Sequence, residues 1–391
     1  MPRVISGLEA LLAAPPRWLR GQRLGLLCNP ASVDHRLVHA RLRIARRLPG
    51  QLAALYSPQH GFYAEKQDNM IASADGRDPL LDLPVYSLYG DTRVPTAEML
   101  APIDALLVDL QDVGCRVYTF IWSLTHCLEA AARFGKPVAV LDRPNPIGGI
   151  RIEGNLLTPD CASFVGRHPI PMRHGLTIGE MARLLNAEMA IGADLKVVPM
   201  RGWNRRIAFA DTGLPWVAPS PNMPTPDTAL VYPGQVIWEG TNVSEGRGTT
   251  QPFELCGAPF VDPQAVLASL AGKRLPGVVL RPAAFEPTAN KWQGRLCLGF
   301  QLHVTQPRVF RPYETGMALL QAVIRTAGDR FEWKAPPYEY EYRRRPIDLI
   351  LGDGRMRRRL AGGADLAELS AAWAADCRRF KRRAERWLLY T

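Results

Sequence analysis

The residues best suited to chemistry sit in short polar clusters, each directly behind an apolar run. SPQHGFYAEKQDNM, residues 57–70, follows LAALY and gathers His60, the acids Glu65 and Asp68, and the amides Gln59, Gln67 and Asn69 into one loop. Asn29 closes the run RLGLLCN, Gln111 and Asp112 close IDALLVDLQD, and Asp142, Arg143 and Asn145 fall at the end of KPVAVLDRPNP. Amides and carboxylates pair with hydroxyls, and an arginine forks onto a carboxylate, so this set suits hydrolysis or binding of a polyhydroxylated, anionic ligand. Glycoside hydrolysis needs one carboxyl as acid and commonly a second as base or nucleophile. Asn, Asp, Pro and Gly also cap helices and make turns, which is explanation enough for Asn29. A turn does not need His-Gly together with an acid pair, so the 57–70 loop stands out.

The elements that must hold these clusters are strands. Segments 23–30, 51–58, 83–90, 103–112, 136–146 and 193–200 have strand length, are mostly rich in Leu, Val and Ile, and lack clean alternation. That is the pattern of strands buried on both faces of a largely parallel sheet. Between them, 117–135 reads as a helix closed by Gly135. Another, 176–190, opens with Thr177 and Glu180 in capping-box spacing, and 5–13 makes a short amphipathic helix before the first strand. The expected fold class is α/β, a Rossmann-like, doubly wound sheet flanked by helices. Ligands of such sheets bind outside the carboxyl ends of the strands, where the polar clusters fall.

After residue 200 the character changes. PSPNMPTPDTALVYPG (219–234) holds five prolines in 16 residues, which predicts a rigid extended crossing between domains rather than a helix. The expected division is 1–228 for the Rossmann-like domain and 229–391 for a smaller α+β domain. VIWEGTNVSEGRGTTQPFELCGAPF (236–260) is a long polar stretch of the kind that usually carries function. Beyond it come a strand over 295–305, a helix over 316–328 and a terminal helix. In the last, Leu366, Leu369, Trp373, Cys377, Phe380, Ala384 and Trp387 recur at spacings of three and four.

Several classes of function lack their signatures. No G-x-G-x-x-G follows the first strand and no P-loop occurs, so no nucleotide cofactor is expected. H-E-x-x-H is absent and the seven histidines are scattered, so no metal is expected either. G-x-S-x-G is missing as well. The net charge of +11 is concentrated at the end, where residues 343–391 carry 13 Lys/Arg against 6 Asp/Glu. Those arginines fall mostly opposite the apolar stripe of the terminal helix and no nucleic-acid motif accompanies them. The excess therefore favours an acidic small molecule over nucleic acid. Seven cysteines without a C-x-x-C pair fit a reducing compartment. With no membrane span and no secretory signal in the first 25 residues, the protein is expected to be cytoplasmic.

Six stretches carry a family resemblance: SLYG, DLQDVGCRVYTF, VLDRPNPIGG, SFVGRHPIPMRHGLTIGEMARLLN, PSPNMPTPDTALVYPG and EGTNVSEGRGTTQPFELCGAP. In this order they resemble the signatures of the exo-β-N-acetylmuramidase family, from about residue 22 to the C-terminus. The resemblance implies a Rossmann-like domain, a smaller C-terminal domain and a cleft between them. It also implies metal-independent removal of N-acetylmuramic acid from the non-reducing end of peptidoglycan fragments, with a small saccharide or muropeptide as the ligand.

One departure bears on the chemistry. Active members carry Pro-Glu-His-Gly after the second strand, with that Glu taken as catalytic, and the matching residues here are Pro58, Gln59, His60 and Gly61. A glutamine does not exchange protons usefully. Either another acid replaces it, or the cleft binds a muropeptide without cutting it. Glu65 is the first substitute, with Asp68 competing, while Asp112 and Glu239 are partner carboxylates on the family motifs. Asp112 could equally serve a structural pairing with Arg116 or Arg143. A lactyl carboxylate needs a cation, from among Arg116, Arg143, Arg173 and Arg247, with Arg143 and Arg247 preferred. Gln59, His60, Gln111, Tyr118, Asn145, His174, Asn222, Asn242 and Glu245 complete the expected substrate contacts.

Overall fold

The computed structural model describes residues 3–391. The six expected strands all form, and a seventh joins them. In chain order they are β1 (Leu24–Cys28), β2 (Leu52–Ser57), β3 (Gly76–Arg77), β4 (Pro84–Ser87), β5 (Ala105–Asp109), β6 (Val138–Leu141) and β7 (Leu195–Val198). The sheet order is β3-β4-β2-β1-β5-β6-β7. Every neighbouring pair is parallel except β3 with β4. Two residues are too few to show any periodicity, which is why β3 leaves no trace in the sequence pattern. The chain moves outward from β1 to β2 and β4, then returns to β5 on the other side of β1. Both central strands, β1 and β5, are buried along their whole length.

The helices Phe120–Arg133 and Ile178–Glu188 occupy the expected positions. The first begins three residues late, because Val117, Tyr118 and Thr119 form a turn at its head, and Gly135, at φ +65°, lets the chain leave it. In the second, Thr177 and Glu180 form the complete reciprocal capping box.

The proline-rich crossing departs from expectation, since its second half is the helix Pro226–Gln235. Pro226 stands at the start of the helix, where no N–H is needed, and Thr225 caps the Thr228 N–H at 3.1 Å. Only Pro233 lies inside. Gly234 allows close packing here: a Cβ on it would lie 1.9 Å from the Pro312 carbonyl oxygen, on the helix Pro312–Ala327.

The second sheet is antiparallel, with β8 (Leu255–Ala258), β9 (Val278–Phe285) and β10 (Cys297–Val304) in the order β8-β10-β9. β10 is the strand expected over 295–305. One apolar cluster runs from Leu27 and Val108 in the first sheet to Trp238, Phe300 and Leu320 in the second unit, so burial holds the two together. The terminal helix, Leu366–Ala384, spans both. Trp373 packs on Tyr313, whereas Phe380 and Ala384 pack with Ile121, Trp122 and Met181 of the first domain. Tyr390 then donates to Asp142 at 2.6 Å. Among the described residues no helix is long and apolar enough to cross a membrane.

Candidate active site

Where the carboxyl end of β2 meets the second unit there is a cavity whose lining includes Gln59, His60, Thr119, Glu239, Arg247 and Glu339. Gln59 and His60 follow β2 immediately, and left-handed backbone at His60 (φ 78°) and Gly61 (φ 84°) turns the chain sharply there. The His60 Nδ1–H donates to the Lys66 carbonyl at 2.7 Å, which leaves Nε2 as an acceptor. Burial pulls its pKa down to about 4, so the ring is neutral near pH 7.

Two carboxyls face this space with different partners. Glu239, in the short turn Val236–Gly240, accepts from Arg247 at 2.6 Å on one oxygen, and from the Tyr338 hydroxyl at 2.6 Å and Asn69 at 3.3 Å on the other. Arg247 also reaches Glu245 at 3.2 Å, and Glu245 in turn pairs with Lys291 at 2.7 Å. The result is an alternating chain of four charges. Burial alone would lower the Arg247 pKa, but Glu239 and Glu245 outweigh it and raise the value.

Among the described residues no cation is in hydrogen-bond contact with Glu339. Gln59 Nε2 donates to one of its oxygens at 2.9 Å and the Tyr89 hydroxyl to the other at 2.5 Å. Burial raises its pKa, against the opposing effect of those two donors. One carboxyl is thus ion-paired and the other is hydrogen-bonded by neutral groups. A division of this kind separates an acid from a base or nucleophile in a single pocket.

Residues 67–70 roof the cavity. The Gln67 carbonyl accepts from Asn222 at 2.8 Å, Asp68 accepts from Asn290 at 2.8 Å, and the Met70 N–H donates to the Tyr89 hydroxyl at 3.1 Å. Outside this roof an open groove begins at Asn222 and Arg247 and continues past Thr249, Thr250 and Phe285.

Of the residues singled out in the sequence, Gln59, His60, Tyr118, Asn222, Glu239 and Arg247 line the cavity, and Glu245 is bonded to Arg247. The others lie elsewhere. Glu65 is exposed and folds back on its own loop, accepting from the Tyr63 N–H at 3.2 Å and filling the space beside Gly61. Asp112 accepts from the Gly114 N–H at 2.7 Å and faces His174 at 3.4 Å, so its partner is neither Arg116 nor Arg143. Gln111 donates to the Asp112 and Pro144 carbonyls, at 2.7 and 2.8 Å.

Arg143 forks onto Asp109 at 2.5 and 2.8 Å and borders a separate, smaller pocket. Arg173 pairs with Glu153 at 2.9 Å. Asn145 bridges the Leu176 carbonyl and the Ile147 N–H, and Asn242 bridges the Arg330 carbonyl and the Glu332 N–H. Arg116 is wholly buried and donates to four carbonyls, those of Asn155, Ile170, Ile350 and Leu351. The common reason is that long connections buried between two units must satisfy their backbone polar groups, and the motif side chains do this.

Sequence reasoning missed Glu339, Tyr338 and Tyr89. The available signals were SLYG, which holds Tyr89, and YEYEY, residues 338–342, where an acid between two tyrosines can be walled in by rings, but the latter alternation also reads as a half-buried strand. Among the described residues no group of three or more His, Cys, Asp or Glu is placed to hold a metal ion.

Comparison with known proteins bears on this geometry. The family models for the N-terminal and C-terminal parts of exo-beta-N-acetylmuramidase NamZ match residues 24–227 and 230–390. A Bacillus subtilis (strain 168) protein named peptidoglycan beta-N-acetylmuramidase NamZ is 42% identical over 392 residues, covering 100% of this chain and 92% of that one. Two crystal structures of DUF1343 family proteins from Bacteroides fragilis NCTC 9343 share the fold. One has a TM-score of 0.89 at 34% identity and the other 0.79 at 27%, each match covering 100% of this chain and 99% of the other.

Proposed function

The chain belongs to the exo-beta-N-acetylmuramidase NamZ family, and from that membership and its cavity we propose that it is a glycoside hydrolase that removes N-acetylmuramic acid from the non-reducing end of peptidoglycan-derived fragments. The observation that carries this reading is the pair of unlike carboxyls, Glu239 and Glu339, that line one cavity and are linked through Asn69 and Gln59. Arg247 supports the substrate class. Its Nη1 has only a long 3.4 Å bond to the Gln67 carbonyl, so its N–H groups have donor capacity for a lactyl carboxylate while Nη2 holds Glu239. His60 Nε2 accepts from a sugar hydroxyl, and Asn222 reaches the acetamido group. The adjoining groove takes the leaving portion. Its site of action is the cytoplasm, a reading supported by seven free cysteines, six of them buried.

The test is release of free N-acetylmuramic acid from a nitrophenyl β-N-acetylmuraminide and from the natural disaccharide with N-acetylglucosamine, beside the matching N-acetylglucosaminide as control. Release from the first two only is expected. A second reading, a muropeptide-binding protein without turnover, rests on Gln59 in the position of the family acid. Calorimetric binding of the disaccharide without release would establish that reading instead.

A further inference from the structure

We propose that Glu339 is the proton donor to the departing glycosidic oxygen, and that Gln59 is the residue that positions it. This rests on the hydrolase reading above. Glu339 lines the cavity and is 4% exposed, so any group that reaches it comes from inside. Its backbone is held in the left-handed region, as is that of Tyr340, at φ 49° and 63°. Non-glycine residues adopt that conformation in succession only where the surroundings impose it. The surroundings are visible: Arg93 lies 4.4 Å from the ring centres of both Tyr340 and Phe164, and 5.5 Å from that of Tyr89. This stack fixes Tyr340 and keeps the preceding side chain turned inward.

Gln59 occupies the place where the family acid is expected, and its amide is oriented at both ends. Its oxygen accepts from Thr119 at 2.6 Å while its nitrogen donates to Glu339 at 2.9 Å. An amide donates its N–H without competing for the acidic proton. Each Glu339 oxygen receives one donor and has two lone pairs, so a place remains for a proton directed into the cavity. The charged and titratable groups around this carboxyl are Tyr89, Tyr338, Tyr340, Glu239 and Arg93. Burial and Glu239 favour its protonated form, while Tyr89, Gln59 and Arg93 oppose it, and the net displacement is upward.

In the step itself, the bond from C1 to the glycosidic oxygen breaks and its electron pair leaves with the oxygen, which takes the Glu339 proton. A water then supplies the hydroxyl to C1, and its remaining proton restores the acid.

The experiment compares the parent, Glu339→Gln and Gln59→Leu on the natural disaccharide and on a nitrophenyl muraminide, whose leaving group needs no protonation. Glu339→Gln is expected to lose about 10²- to 10⁴-fold on the disaccharide, far less on the nitrophenyl substrate, and the alkaline limb of its pH profile. Gln59→Leu removes a donor to the carboxylate, so that limb should move to higher pH. Unchanged disaccharide turnover in Glu339→Gln overturns the assignment, as does an equal loss on both substrates with the alkaline limb intact. Should that variant fail to fold, an unmoved limb in Gln59→Leu overturns it. A parent inert toward both substrates overturns the hydrolase reading, and the assignment with it.

Discussion

Gln59 Nε2 lies 2.9 Å from a carboxyl oxygen of Glu339, a residue 280 positions later in the chain. The family motif and the buried acid are therefore two halves of one arrangement. Converting the amide to a carboxyl would place two acids at hydrogen-bond distance, where they cannot both ionise readily and share one proton. Gln59→Glu should accordingly be active, with the alkaline limb of its kcat/KM profile displaced upward by about 1–3 pH units. Profiles of parent and variant on the same disaccharide decide this, and superimposable limbs would show that the two side chains are not coupled.

Glu239 answers to a different test. Its partners are Arg247, Tyr338 and Asn69, and a glutamine keeps the acceptor oxygen that Tyr338 or Arg247 needs. A carboxylate that stabilises developing positive charge or activates water is needed whatever the leaving group. Glu239→Gln should therefore lose about 10²- to 10⁴-fold on the nitrophenyl substrate as well as on the disaccharide. Steady-state rates on the two substrates separate this pattern from the selective loss expected for an acid.

How much of this was legible beforehand follows from what each signal encodes. Strand runs such as LGLLC and ALLVD announce burial on both faces, and Thr177 with Glu180 announces a cap, because both depend on neighbours in sequence. The cavity depends on neighbours in space. Gln59 and Glu239 could be singled out through motifs, but nothing local says that Glu339 faces Gln59. Arg143 is preferred equally with Arg247 in the sequence, yet only Arg247 lines the cavity. Asp109 takes the Arg143 guanidinium and four carbonyls take that of Arg116, partners that lie far off in the chain and that a sequence does not state. Pro226 was misread for a related reason: a proline count ignores position, and the first turn of a helix accepts one freely.

Arg116 provides a measure of how the two units are held. Its guanidinium has no carboxylate partner and donates at 2.9–3.0 Å to four carbonyls, two of them, Ile350 and Leu351, at the end of the helix Pro346–Leu351. Arg116→Met should cost about 3–5 kcal/mol, read as a lower denaturation midpoint, because it leaves several buried acceptors unpaired. Gly352→Ala should destabilise through the same contact, since its φ is +72° and the added Cβ would lie 2.6 Å from Arg116 Nη2. The double variant should lose less than the sum of the two. Full additivity would mean that the guanidinium and the glycine act independently.

Asp142, at the end of β6, ties stability to pH. It is fully buried and accepts from Thr177 at 2.8 Å, the Gly179 N–H at 2.8 Å and Tyr390 at 2.6 Å. Burial raises its pKa to about 7 despite these donors, and nearby Glu180 adds to the rise. Its unfolded value is near 3.9. Between those limits the folded chain holds a proton that the unfolded chain has released, so folding is favoured at the acid end and loses that contribution as pH rises through about 7. The slope from this one group is at most about 1.4 kcal/mol per pH unit. Urea midpoints measured from about pH 4.5 to 7.5 should show it in the parent, and Asp142→Asn should flatten it. Tyr390→Phe removes a donor to the carboxylate, so the decline should extend to higher pH in that variant. Equal slopes in parent and Asp142→Asn would assign the effect to another buried acid, and Glu339→Gln is then the variant to compare.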